Sequence, residues 1–294
     1  MNASSKSNSK ELDLTPDEAN ELAQQFKEKE GACKNIQEEK IYLLINGLGD
    51  KRGLIRRTYA EQLGKIGLDA LPGLLDVLLN SENVIARRAA AKTIKLVGEP
   101  SALPSLLKAL MNDKDPVVQG SSAGAMAIFG EEAVKYLLKV LTSPTSSAMQ
   151  CGLATWAITF AGINAANSVK EAAQSDHPAI RTAGISALGE IIQTLNDKHA
   201  EDLLFKALDD PINEVRIEAT RLISNINQPN KVEKLLIKKL NDNNLLVRKN
   251  AAISLMKLNS KNSIFPLKER ISLEIEESMI NILNLAISKI NNNT

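Results

Sequence analysis

The sequence predicts an all-α protein: an α-solenoid of about eight stacked helical hairpins, with an extra helix at the N-terminus. Three observations predict it. A helix-like segment recurs at nearly constant spacing. Each copy carries an apolar stripe at helical period. No stretch alternates polar and apolar residues as a half-buried strand would. The copies span 55–67, 86–98, 118–130, 150–162, 180–192, 215–227, 247–259 and 275–287. Their second residues fall at 56, 87, 119, 151, 181, 216, 248 and 276, so successive copies lie 28 to 35 residues apart.

Within each copy, the residues 3, 7 and 10 places after that second residue are mostly apolar or small. They are Ala90, Ile94 and Val97 in the second copy, and Ala219, Ile223 and Ile226 in the sixth. This is the buried stripe of an amphipathic helix. The place 11 residues on holds Gly67, Gly98, Gly130, Gly162, Ile192, Asn227 and Asn259. Glycine and asparagine accept the left-handed backbone that ends a helix, so most of these helices are expected to stop there. A second helix precedes each of six copies, at 70–79, 102–111, 133–141, 167–173, 200–208 and 231–240. Paired leucines mark its buried face. Pro72 and Pro104 fall in first turns, where a missing N–H costs nothing. Turns carry Asp115-Pro116, Ser143-Pro144, His177-Pro178 and Asp210-Pro211.

The ends depart from the pattern. Residues 1–14 are a polar tail, expected to be disordered. Thr15-Pro16-Asp17-Glu18 reads as a capped helix start, so 15–35 is expected to form a capping helix and loop. A single solenoid then fills 36–290, followed by an Asn-rich tail at 291–294.

Bulk properties exclude several functions. The chain has 294 residues, 44% of them hydrophobic, which is ample for a core. Its 36 basic and 35 acidic side chains leave a net charge near +1, and aromatics make up 3%, so nucleic acid is not an expected partner. No run is long and apolar enough for membrane insertion, and MNASSKSNSK lacks the apolar centre of a secretory leader. Two widely separated cysteines, Cys33 and Cys151, point to a reducing, cytoplasmic setting. No metal site, nucleotide loop or hydrolase triad is legible, and His177 and His199 read as ordinary surface residues.

The second residue of most copies is arginine: Arg56, Arg87, Arg181, Arg216 and Arg248. A position demanded by every repeat is read first as architecture, each guanidinium meeting a carbonyl or acid such as Asp113, Asp176 or Asp210. The functional alternative is that arginines grip anionic groups. Arg57, Arg88 and Arg221 suit that better, because the repeat does not require them. The third and fourth copies replace the arginine with Gln119 and Cys151. Around these stand Gly120, Ser121, Ser122, Gly124 and Gly152, with Trp156, Phe160 and Phe129. Small residues beside large aromatics imply either tight packing or a hollow for a flat apolar ligand or a partner helix. Cys151 reads as a small buried hydrophobe or as a thiol facing that ligand.

The LPxLLxxL helices, the Asp-Pro turns and the VRxxAA helix starts resemble short HEAT-like repeats. With the central variant SSAMQCGLATWAITFAG, the chain resembles the cyanobacterial E/F-type phycobilin lyase family. That resemblance implies a lyase, or a lyase-like chaperone, that binds a linear tetrapyrrole and forms a C–S bond to a phycobiliprotein cysteine. Some members also isomerise the bilin, often with a second HEAT-repeat lyase subunit. It implies a phycobilin as substrate rather than a permanent cofactor, and a phycobiliprotein subunit as partner. The binding residues expected from it are Trp156, Phe160, Cys151, Gln119, Arg88 and Arg57. Candidates for a proton donor are Tyr136, Glu132 and Asp176, with Glu131 beside them. The alternative is a non-enzymatic scaffold for a partner protein, in phycobilisome turnover or iron–sulfur assembly.

Overall fold

The computed structural model describes residues 37–292. The capping helix expected at 15–35, and Cys33 within it, lie outside that range. Sixteen helices form eight antiparallel hairpins, and no strand occurs among the described residues. The first helices of the hairpins are α1 (37–47), α3 (Leu71–Asn80), α5 (Leu103–Asn112), α7 (Glu131–Thr142), α9 (Ala166–Ala172), α11 (Lys198–Ala207), α13 (Pro229–Lys239) and α15 (Ile264–Leu273). The second helices are α2 (Gly53–Ile66), α4 (Val84–Val97), α6 (Pro116–Met126), α8 (Ala148–Ala161), α10 (Pro178–Leu195), α12 (Asn213–Leu222), α14 (Leu245–Lys257) and α16 (Glu277–Asn292). The last helix absorbs Asn291 and Asn292, which the sequence placed in a tail.

Each second helix packs closely on those before and after it, whereas successive first helices touch more sparsely. The stack therefore bends with the second helices inside. Between the two layers runs one core. Leu74, Leu78, Leu106, Leu110, Leu137 and Ile158 are fully buried in it, each contributing about 1.5–3 kcal/mol. Ala90, Ala123, Ala154 and Ala219 are buried on the facing stripe, where their small size lets the layers approach.

Gly98 is left-handed at the end of α4. Gly67, Gly130 and Gly162 also have positive φ, with ψ between −113° and −131°, a region only glycine enters cheaply. Where the repeat offers neither glycine nor asparagine, α10 runs past Ile192 to Leu195, and Asn196 takes the left-handed position, which a β-branched residue resists. One expected stop is corrected: Asn227 is not left-handed. α12 tightens into a 3₁₀ turn at Ile223–Asn225, and the chain leaves through extended Ile226.

The repeated arginines form a ladder. Arg87, Arg181, Arg216 and Arg248 each donate one Nη1–H to the carbonyl six residues back (Ser81, Ser175, Asp210 and Asp242, 2.6–3.0 Å). Each then forks onto the carboxylate of the next turn: Asp113, Asp210, Asp242 and Glu274, at 2.7–3.1 Å. Asp113, Asp210 and Asp242 also accept the backbone N–H two residues on, which shapes their turns. Every such arginine thus ties one hairpin to the next. Burial opposes ionisation of Asp210 and Asp242, but Arg181 and Arg216 outweigh it and hold both carboxyls below the ordinary range. Arg88 and the N–H groups at the start of α6 bring Asp115 to about 2. A depressed folded pKa gives stability that is complete above the unfolded value, near 4, and is lost as pH falls through the folded one. Helix content is therefore expected to hold at pH 4 and collapse toward pH 2. Circular dichroism against pH checks this, and a transition centred above pH 4 contradicts it.

Candidate functional site

The inner surface is built from one periodic stripe. Counting from the ladder position, the residues 1, 5 and 9 places on lie along the inward face of each second helix, at spacings of four. They read Arg57, Glu61, Lys65 on α2; Arg88, Lys92, Leu96 on α4; Gly120 and Gly124 on α6, with Ile128 in the 3₁₀ turn that follows it; Gly152, Trp156, Phe160 on α8; and Thr182, Ser186, Glu190 on α10, where Ser186 is buried. From α2 to α10 the surface passes from charged to small, to aromatic, to polar.

The variant repeats make the centre of this stripe. Trp156 and Phe160 are 49% and 57% exposed, high values for side chains of this size, and so do not fill the core. Their ring centroids are 5.7 Å apart and tilted by 32°. Gly124 lies against the indole: a Cβ there would stand 3.4 Å from Trp156 Cη2 and Cζ3, in van der Waals contact. Lys95 Nζ lies 5.8 Å from the Phe160 centroid, a cation–π distance. Beneath the pair is a hollow of about 390 Å³ lined also by Lys92, Val117, Gly120 and Ser121. Lys92 and Val117 also line an adjoining cleft of about 670 Å³ with Lys51, Arg57, Glu61 and Arg88. The two share a wall and form one groove across α2 to α8, of the size small ligands occupy.

The electrostatics of the groove are one-sided. Arg57 is paired with Glu61 at 2.6 Å, and Arg88 forks onto Asp115 at 2.6 and 2.9 Å. Lys51, Lys92 and Lys95 have no carboxylate partner among the described residues. Anionic groups are favoured at the α4 wall, and a flat apolar body on α8.

Of the residues singled out from sequence, the structure brings Trp156, Phe160, Arg57 and Arg88 onto this groove. Gln119 and Cys151 are elsewhere. Gln119 is 8% exposed, and its Nε2 donates to the Asp113 carbonyl at 2.7 Å, replacing the backbone bond of the missing arginine. Cys151 is half-buried against the Val140 carbonyl, while its neighbour Gln150 reaches Leu110 and Met111 in the hairpin before. Tyr136 and Glu132 lie on α7, a first-layer helix remote from the inner stripe, and Tyr136 stacks under Lys139. Glu131 accepts the Asn167 and Ser168 N–H groups and the Ser168 hydroxyl, so it caps α9. Asp176 lies in the turn before α10, lining a separate cleft at the ladder.

Lys92 and Lys95 escaped the sequence reading, which weighed arginines for anion binding. The signal was present: Arg88, Lys92 and Lys95 share one helical face, at spacings of 4 and 3. Among the described residues no cluster of metal ligands occurs, and no helix is long and apolar enough to cross a membrane.

Comparison with known proteins agrees with this architecture. Residues 71–150 and 201–277 match the model of HEAT repeats. The chain is 45% identical over 275 residues, 93% of each protein, to bilin biosynthesis protein MpeU of Synechococcus sp. (strain WH8020). Among solved structures it is similar to Kap95p in its complex with RanGDP (14% identity, 87% of this chain and 41% of that one, TM-score 0.51), a likeness of fold alone. It is also similar to the CpcE–CpcF complex of phycocyanin lyase from Nostoc sp. PCC7120 (20% identity, 85% and 94% covered, TM-score 0.30). The repeats and the near full-length identity to a bilin biosynthesis protein lead to one assignment: the chain belongs to the HEAT-repeat, E/F-type phycobilin lyase family.

Proposed function

We propose that this protein is a bilin lyase. It holds a linear tetrapyrrole in the inner groove and presents it to a cysteine of a phycobiliprotein subunit. The single observation that carries the reading is the half-exposed Trp156–Phe160 pair, laid on a glycine step and faced by an unpaired lysine wall. A linear tetrapyrrole needs both parts: an apolar platform for its conjugated rings and cations for its two propionates. Lys92 and Lys95 take the propionates in this reading, and Trp156 and Phe160 take the rings. The identity to a bilin biosynthesis protein over 93% of both chains favours it over a non-enzymatic scaffold.

The acceptor thiol supplies the nucleophile, so the lyase contributes positioning and proton management rather than a catalytic triad. The test is to incubate the purified protein with a free phycobilin and an apo-phycobiliprotein. Bound bilin is expected to show an altered visible spectrum, and attachment is expected to be faster and confined to one cysteine. No spectral change, together with attachment no faster and no more selective than without the protein, rejects the function.

A further inference from the structure

An unengaged acid flanks the groove beyond its aromatic end, outside the residues that line it. Glu190 occupies the ninth place of the inner stripe on α10, the place Phe160 occupies on neighbouring α8. α8 and α10 pack directly on each other. The carboxyl of Glu190 lies against Gly162, two residues past Phe160: a Cβ at Gly162 would stand 2.5 Å from Oε2. Gly162 has φ +38°, so two constraints meet there, a backbone glycine prefers and a space the carboxyl fills. Glu190 is exposed, accepts no hydrogen bond and joins no ion pair among the described residues.

Its freedom distinguishes it from the other acids near the groove. Glu61 is held by Arg57, and Asp115 by Arg88 and the start of α6. Glu131 caps α9. A carboxyl committed to a structural partner gives up or takes a proton only by breaking that contact, whereas a free one exchanges protons without cost to the fold. Position adds to this. Propionates drawn to Lys92 and Lys95 orient the tetrapyrrole with its carboxylates toward α4 and its conjugated rings over α8, next to α10.

We propose that Glu190 is the proton-transfer residue of this groove; the inference rests on the bilin reading above. The reaction it serves is a redox-neutral addition. The acceptor sulfur bonds to one carbon of a double bond conjugated with the tetrapyrrole. The electron pair of that double bond takes a proton at the other carbon, and the thiol gives up its own. The Glu190 carboxylate takes the proton that sulfur gives up, and the resulting carboxylic acid delivers it to carbon. One proton is taken up and one released, so no oxidant or reductant is consumed.

The test separates binding from chemistry in the full-length protein, with a free phycobilin and an apo-phycobiliprotein. Glu190→Gln is expected to bind bilin within about twofold of the wild type and to attach it about 10²-fold more slowly, the low end of what general acid–base catalysis contributes. Glu190→Ala is expected to be equally slow and to regain rate when formate is added, a response that mere repacking would not give. Glu190→Gln with wild-type rate, or a slow Glu190→Ala that formate leaves unchanged, overturns the assignment while the groove reading stands. If the wild type binds no bilin, or Trp156→Ala binds it normally, the groove reading fails and Glu190 loses its role with it.

Discussion

Replacing both Trp156 and Phe160 with alanine is expected to weaken bilin binding by about 10²-fold or more and to leave the fold in place. The reason is where the two rings stand. Each turns about half its surface to solvent in the free protein, so truncation forfeits much less than the ~3–5 kcal/mol lost when a buried Phe or Trp becomes Ala. On binding, the same faces become covered by a flat conjugated ligand. Aromatic contacts add about 0.5–1.5 kcal/mol each beyond the area they bury. With burial included, a loss near 3 kcal/mol for the pair is about 10²-fold in Kd. Titrating the visible spectrum of a phycobilin against each variant measures it, with helical circular dichroism as the fold control. Tyr136→Phe, on the outer layer, is expected to bind like the wild type. A folded double variant with unchanged affinity would remove Trp156 and Phe160 from the site.

The same two rings show what the sequence could and could not convey. Periodicity, leucine pairs and turn residues placed almost every helix, because a solenoid is specified by local patterns that neighbouring hairpins satisfy in turn. The stop failed at Asn227, where the spacing rule ignored how a following proline helix redirects the chain. The aromatic pair was visible as a departure in size and charge. Whether it faced core or groove depended on which layer lies inside the curve, and that is a property of many hairpins at once. Gln119 and Cys151 were misplaced for a related reason. They occupy the ladder position, which faces the turn, while the inner stripe begins one residue later. Shifting the alignment by that residue would have shown Lys92 and Trp156 in one row, and Phe160 and Glu190 in the next.

Arg216→Ala is expected to destabilise the protein by about 3–5 kcal/mol, the cost of breaking a buried ion pair by removing one partner. Arg216 and Asp242 have side chains 13% and 7% exposed. Removing the guanidinium takes both forks from Asp242, leaving it the Asn244 N–H and Lys239 at 3.9 Å. It also strips a donor from the Asp210 and Pro211 carbonyls. An uncompensated buried carboxylate is the costly outcome, and the pair itself is not. The double change Arg216→Met with Asp242→Leu is therefore expected to recover most of the loss. Arg57→Ala, with a side chain 76% exposed, should stay within about 0.5 kcal/mol. Because each hairpin contacts only its neighbours, the damage should be local, with amides of α12 to α14 losing hydrogen-exchange protection before those of α4 to α6. Denaturant unfolding gives the magnitude and hydrogen exchange gives the place. A loss under 1 kcal/mol, or protection that falls evenly along the chain, would mean the ladder does not join the hairpins. A matching loss in the double variant would shift the weight from the orphaned carboxylate to the arginine's own packing against the turn.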